Sequence, residues 1–290
     1  RAQGFGIKDA RRLGLFNAGG RQQDVAFGLA VGIGHVDLHK EPVQLRLGQR
    51  VGAFLVQRVL GGEHHVGFVQ GKGLAFDGDA DRCFVVDENG DPVSPSAVTG
   101  LVAERELAKE PGATVIHNLI TSRAVPELVA RLGGTPVRTR VGHSFIKQQM
   151  ADTGAIFGGE HSAHYYFRDF WGADSGMLAA LHVLAALGSQ DRPLSELMKS
   201  YETYSASGEI NSTVDDAAAR TASVVDAFSD RTVSIDRLDG VTVDLGDGAW
   251  FNLRASNTEP LLRLNVEART AGEVESLTAE ILGVVRARLE

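Results

Sequence analysis

Residues 74–94 read LAFDGDADRCFVVDENGDPVS. Two short apolar runs, LAF and CFVV, flank an acidic loop, and turn-forming residues from Glu88 to Pro92 follow. That order predicts strand, loop, strand and turn. Downstream, strand-like and helix-like stretches alternate. SAVTGLVAERELAK (96–109) has a Ser start and helical spacing, ATVIHNL reads as a buried strand, and SRAVPELVARLGG as a helix closed by Gly133–Gly134. TPVRTRVG reads as a strand, HSFIKQQMADTG as a helix with Ser144 as its cap, and AIFGGEHSAHYYF as strand–turn–strand. DSGMLAALHVLAALGS is a strongly apolar helix ending at Gly188. This alternation predicts an α/β unit with a mixed, mainly parallel sheet over 95–205.

The polar segment YSASGEINSTVDDAAAR then reads as a linker. Beyond it come a helix near 215–228, the short strands SIDRL, VTVDLG, AWFNLRAS and LLRLNVEA, and a final amphipathic helix. The expectation is a small α+β domain over 208–290. Upstream, residues 1–72 show no sustained period, and Gly interrupts most candidate elements. They hold 14 of the 34 glycines and no Ser, Thr, Tyr, Cys or Trp. Three readings stay open there: a short domain, a flexible basic extension, or sequence read in the wrong frame or from a wrong start.

The chain has 290 residues, is 43% hydrophobic and 23% charged, and carries a net charge of −8. That is an ordinary composition for globular protein of about two domains. The charge is uneven: ten Lys and Arg face five Asp and Glu over 1–72, whereas 19 face 32 over 73–290. Nucleic-acid binding is not expected, because the basic residues of 1–72 are dispersed. The single cysteine, Cys83, forms no intrachain disulfide, so an oxidising compartment is not implied. No apolar run reaches the roughly 18–20 residues that span a bilayer. The expected location is the cytoplasm, without membrane partners.

Four loops carry chemistry. In DGDADR, Asp77, Asp79 and Asp81 alternate with small residues. Three carboxylates this close repel one another, and a hard divalent cation such as Mg²⁺ removes that repulsion. Arg82 can then hold a phosphate beside the ion. A solvated acidic turn is the plain alternative. A calcium EF-hand fits less well, because Arg82 stands where that loop requires Gly. GGEHSAH places Glu160 and Ser162 after two glycines, suited to sugar hydroxyls, although a loop glutamate is often simply solvated. RVGHSFIK sets Arg140 and His143 at a helix start, where His143 either transfers protons or packs. RASNTEP combines the Arg254 fork with Ser256, Asn257 and Thr258, a phosphate cradle or a polar turn satisfying its own backbone.

In order and spacing these loops resemble the α-D-phosphohexomutase family, the phosphomannomutase and phosphoglucomutase type, over residues 73–290. DGDADR looks like its metal loop, GEHSAH like its sugar-specificity loop GE-x-S-G-H with Ala163 in place of Gly, and RASNTEP like its phosphate-binding loop. VGHSFIK and the TSR at Thr121–Arg123 also match. The resemblance implies that 73–94 is the end of a second domain, with third and fourth domains following. It implies Mg²⁺ on Asp77, Asp79 and Asp81, with Arg82 on the phosphoryl group. It implies Glu160, Ser162 and His164 at the sugar, and Arg254, Ser256, Asn257 and Thr258 on the distal phosphate. Arg140 and His143 become cleft contacts, with His143 as a proton carrier. The implied partners are mannose or glucose 1- and 6-phosphates and their 1,6-bisphosphate, with His161 at the variable position of the glutamate loop.

The family's T-A-S-H-N-P, whose serine carries the phosphoryl group, does not occur in the sequence. The chain is therefore expected to be a truncated or mis-started mutase without turnover. The alternative from another class is a non-catalytic sugar-phosphate-binding remnant. A Mg²⁺-dependent phosphatase using an aspartyl nucleophile is a third reading, which leaves GEHSAH and RASNTEP without a role.

Overall fold

The computed structural model describes residues 65–69, 72–256 and 259–287. The readings of 1–72 fall outside these residues except at 65–69 and 72, as do Asn257 and Thr258. Strand β1 (His65–Val69) pairs antiparallel with β2 (Lys72–Phe76), β2 with β3 (Cys83–Val86), and β3 with the short β4 (Pro92–Val93). The acidic loop joins β2 to β3. Helix α1 (Pro95–Leu107) then begins with Pro at its start, where a missing N–H leaves no helical bond unmade.

The central sheet has the order β6 (Thr135–Thr139), β5 (Thr114–Asn118), β7 (Phe157–Gly159), β8 (Tyr165–Phe167), β9 (Ala173–Asp174). The β5–β6 and β5–β7 ladders are parallel; helix α2 (Ala124–Arg131) joins β5 to β6, and α3 (His143–Thr153) joins β6 to β7. The β7–β8 and β8–β9 ladders are antiparallel because the glutamate loop folds back as a hairpin. The sheet is thus mixed, two parallel ladders beside two antiparallel ones. Neighbouring residues take opposite faces: Val115 and Tyr165 enter the main core with α1, α2 and α4 (Gly176–Gly188), while Ile116 and Tyr166 pack beneath α3 with Ile146 and Met150. The short α5 (Leu194–Met198) closes this body.

The segment read as a linker carries β10 (Ser205–Ala206) and β11 (Ile210–Thr213), both paired with β15 (Leu261–Ala268). An eight-residue strand with an open edge recruits even a polar segment by main-chain bonding. Strands β12 (Ser234–Asp236), β13 (Val241–Gly246) and β14 (Ala249–Ala255) complete this antiparallel sheet. Helices α6 (Ala217–Ala227) and α7 (Ala271–Arg286) cover it, and a Thr270–Glu273 capping box starts α7. Ser144 does not cap α3: Gly142, at φ 130°, takes the cap position and no side chain bonds there. No helix among the described residues is long and apolar enough to cross a membrane.

His117 on β5 is buried, and burial lowers its ring pKa to about 4. The unfolded chain therefore takes up a proton that the folded one refuses. Stability from this group is complete above about pH 6.5 and is lost as pH falls toward 4, on the order of 3 kcal/mol. Urea unfolding between pH 7 and pH 4 should show that extra slope in the wild type, and His117→Gln should remove it.

Candidate active-site loops

The aspartate loop is a tight turn held from inside and outside. Ala80 N donates to Asp77 O at 3.1 Å with Ala80 at φ 60°, and Gly176 N at the start of α4 donates to Ala80 O at 3.2 Å. Asp77 is buried and accepts from Arg82 N at 3.1 Å and Arg82 Nε at 2.6 Å. One oxygen from each of Asp77, Asp79 and Asp81 lies within 4.8 Å of the other two. Burial pushes the Asp77 carboxyl up, but hydrogen bonds from Arg82 and Asp81 outweigh it and hold the group low. The Asp81 carboxyl is pushed up, first by burial and then by Asp77 beside it. Asp81 Oδ1 is enclosed without a hydrogen-bond donor among the described residues. A close oxygen cluster with one unmatched acceptor fits a hard cation.

The glutamate loop packs directly on the aspartate loop. Glu160 N donates to His164 O at 3.0 Å, Ala163 N to Glu160 O at 3.1 Å, and Cys83 N to Ala163 O at 3.2 Å. Ala163 adopts φ 68°, the conformation that suits Gly at this place in the motif. Gly159 permits the close approach of α1, since a Cβ there would lie 2.4 Å from Thr99. Glu160 is buried and accepts from Ser162 Oγ at 2.8 Å and Tyr166 OH at 3.2 Å. A carboxylate has about four acceptor positions, so two remain for other donors. Ser162 Oγ also meets His164 Nδ1 at 3.0 Å, and His164 Nε2 lies 3.6 Å from Asp81 Oδ2. A continuous polar chain thus runs from the aspartates to Glu160.

The phosphate loop lies on the C-terminal sheet. Arg254 and Arg263 are cross-strand partners, and Glu209 sits 3.6 Å from the first and 3.3 Å from the second. The Nε atoms of both arginines are buried without an acceptor among the described residues. Ser256 N donates to Leu261 O at 2.8 Å, closing the turn, and its hydroxyl lies 3.5 Å from Arg263 Nη2. Two guanidiniums against one carboxylate leave net positive charge and unused donors, which suits an anion. On the glutamate loop, burial holds the His161 ring pKa below its ordinary value, against the opposing charge of Glu209.

Three clustered carboxylates, a buried glutamate and a pair of arginines follow one another along the chain on three sheets, and the same stretch of chain matches known proteins. Residues 94–204 match phosphoglucomutase/phosphomannomutase, alpha/beta/alpha domain III, and residues 209–284 match the C-terminal domain of that family. In its C-terminal two-thirds the chain belongs to this family. It is 44% identical over 217 residues to a protein named for phosphohexose mutases from Xanthomonas campestris, covering 74% of this chain and 48% of that one. It is 45% identical over 209 residues to an Escherichia coli phosphomannomutase, covering 71% and 45%. A crystal structure of a phosphoglucomutase/phosphomannomutase family protein from Burkholderia thailandensis superposes with a TM-score of 0.65 at 28% identity, covering 76% of this chain and 48% of that one. The chain spans a little under half the length of these relatives.

Within this phosphohexomutase frame, not every expected site residue joins the same cluster. Asp77, Asp79, Asp81, Arg82, Glu160, Ser162 and His164 meet in one polar network. Arg254 and Ser256 stand on the C-terminal sheet. Arg140 leans toward the C-terminal sheet, 4.0 Å from Asp239 and stacked on Phe145. His143 opens α3 and makes no side-chain hydrogen bond among the described residues. Sequence reading missed Lys147, one turn beyond His143, which reaches Asp174 Oδ1 at 2.8 Å and faces the Tyr166 ring. The spacing of four residues was the available signal. It also missed Arg263 and Glu209, whose roles depend on strand register rather than on any motif.

Proposed function

We propose that this chain supplies the sugar-holding and distal-phosphate half of a phosphohexomutase site, of the phosphomannomutase/phosphoglucomutase type. The reaction interconverts hexose 1-phosphate and hexose 6-phosphate through a 1,6-bisphosphate. The observation that carries this reading is the run Asp81–His164–Ser162–Glu160, which couples an oxygen-rich cation site to a buried sugar-type acceptor. In this reading residues 73–94 bring the aspartates, 95–205 the sugar-holding unit and 208–290 the phosphate clamp.

Each residue has a defined task. Glu160 accepts from two adjacent sugar hydroxyls, and Ser162 and Tyr166 keep its carboxylate oriented. Arg254, Arg263 and Ser256 clamp the phosphate that is not reacting, together with Asn257 and Thr258. Arg82, anchored on Asp77 through Nε, turns its remaining guanidinium donors to the phosphoryl group in transfer. Arg140 and His143 border the cleft. Asp77, Asp79 and Asp81 would hold Mg²⁺, which when bound supplies positive charge to offset the charge of phosphoryl transfer. Mannose and glucose phosphates are the preferred substrates in this reading.

The phosphoryl donor in the family is the serine of T-A-S-H-N-P, and these 290 residues do not contain that motif. The chain alone is expected to give no turnover in a coupled assay with mannose 1-phosphate and catalytic glucose 1,6-bisphosphate. Multiple turnovers by the 290-residue chain would contradict the assignment of the donor serine to a segment outside this sequence. A second reading, resting on the intact glutamate and phosphate loops, is a binding protein for sugar phosphates without catalysis. Under that reading the chain stays silent in the assay even after a phosphoserine-bearing partner segment is supplied in trans.

A further inference from the structure

A second group of metal-ligating side chains adjoins the aspartate loop and shares one member with it. Asp81, His164 and Asp174 each present one ligand atom within 4.8 Å of the other two. They come from three elements: the β2–β3 loop, the end of the glutamate loop, and β9. Asp174 is fixed by Lys147 through one oxygen, leaving its second oxygen free of that ion pair.

Hydrogen bonding fixes which nitrogen of His164 faces the cluster. Ser162 Oγ carries one hydrogen. Glu160 Oε2, 2.8 Å away, is a carboxylate oxygen and takes it. Ser162 Oγ can then only accept at its other contact, so the 3.0 Å neighbour, His164 Nδ1, bears the ring proton. Nε2 is then the nitrogen that faces Asp81 Oδ2, at 3.6 Å. Two ligands of a tetrahedral ion with bonds of about 2.0–2.2 Å stand about 3.4 Å apart, close to the separation found. A ligating histidine whose second nitrogen is held by a hydrogen-bonded group is the usual arrangement at zinc.

We propose that Asp81, His164 and Asp174 form a three-ligand site for a borderline divalent transition metal such as Zn²⁺, distinct from the cation position of the three aspartates. Imidazole discriminates against Mg²⁺, and two carboxylates with one imidazole leave a fourth position for water. The site stands whether or not the aspartate loop holds magnesium. Sharing Asp81 makes the two ions interdependent.

The test titrates the 290-residue chain with Zn²⁺ by calorimetry in excess Mg²⁺, and with Co²⁺ followed by visible absorption. One Zn²⁺ per chain is expected, with Co²⁺ giving a four-coordinate spectrum that Zn²⁺ erases. Asp174→Asn should weaken Zn²⁺ at least about tenfold while retaining the wild-type Mg²⁺ response, which also shows that the variant is folded. Asp79→Asn should do the reverse. Ser162→Ala, which leaves all three ligands in place, should weaken Zn²⁺ by about 10–100-fold. Zn²⁺ binding lost in Asp79→Asn and kept in Asp174→Asn would overturn the proposal, placing the ion in the aspartate loop. So would an absence of Zn²⁺ binding by the folded wild-type chain.

Discussion

Gly176→Ala is expected to destabilise the protein by about 2–4 kcal/mol and to weaken Mg²⁺ binding at least about tenfold. The reason is a contact between two backbones. A Cβ on Gly176 would lie 2.5 Å from both the carbonyl carbon and the oxygen of Arg82, and 3.0 Å from Ala80 O. Carbonyl groups cannot rotate aside as a side chain can, so either α4 withdraws or the aspartate loop shifts. Withdrawal strips buried contacts of Ala179, Ala180 and Val183 from the main core. A shift breaks the bond from Gly176 N to Ala80 O and separates carboxylates that now stand together. The control lies at the other end of the same helix. A methyl group on Gly188 would meet nothing within 4 Å, so Gly188→Ala should be neutral or stabilising by up to about 1 kcal/mol. Urea unfolding and Mg²⁺ calorimetry on both variants make the comparison. Wild-type Mg²⁺ affinity in Gly176→Ala would mean that the approach of α4 does not shape the loop.

Glu267→Ala should lower stability by about 2–6 kcal/mol, and Glu267→Gln should recover most of it. Glu267 is buried on β15 and accepts at Oε1 from Trp250 Nε1 at 2.8 Å and from Arg123 N at 2.9 Å. Trp250 lies opposite it on β14, whereas Arg123 belongs to the α/β body. Burial pushes the Glu267 carboxyl up, more than its hydrogen bonds pull it down. An amide oxygen in the same place therefore serves both donors without a buried charge. Alanine leaves two enclosed N–H groups unmatched, each worth about 1–3 kcal/mol. The change also loosens the seam between the sheets, where Arg123 Nη2 meets Asp244 at 2.7 Å and Arg138 pairs with Asp236. Glucose 1,6-bisphosphate affinity should fall in Glu267→Ala, because in the proposed site its two ends engage different sheets. Mg²⁺ affinity should hold, because the aspartate loop is built without that seam. Calorimetry of both ligands on one folded sample separates these effects. Equal losses in the two would refute the division.

Local chemistry was legible and long-range register was not. The D-x-D-x-D spacing puts three carboxylates on one short loop whatever surrounds it, and their oxygens do cluster. The strands of the C-terminal sheet were readable from β-branched runs between turns, and α7 from its apolar face. Ser144 was misread because a hydroxyl near a helix start signals a cap. Here Gly142, at a φ that disfavours a side chain, sets the helix start instead. The polar segment holding β10 and β11 looked like a linker because its pairing energy comes from the free edge of β15, not from its own side chains. Asp174 carries no motif. It joins His164 and Asp81 only because β9 folds back on β8, a fact of topology rather than of spacing.

The central claim is that the glutamate loop and the phosphate loop grip one and the same ligand. It is tested most directly by calorimetry of glucose 1,6-bisphosphate, in the presence of Mg²⁺, with the wild-type chain, Glu160→Gln and Arg254→Ala. Each substitution is expected to weaken binding by about 10–100-fold, as the loss of a charge-assisted hydrogen bond does, while circular dichroism stays that of the wild type. Unchanged affinity in either folded variant would show that the two loops serve different ligands.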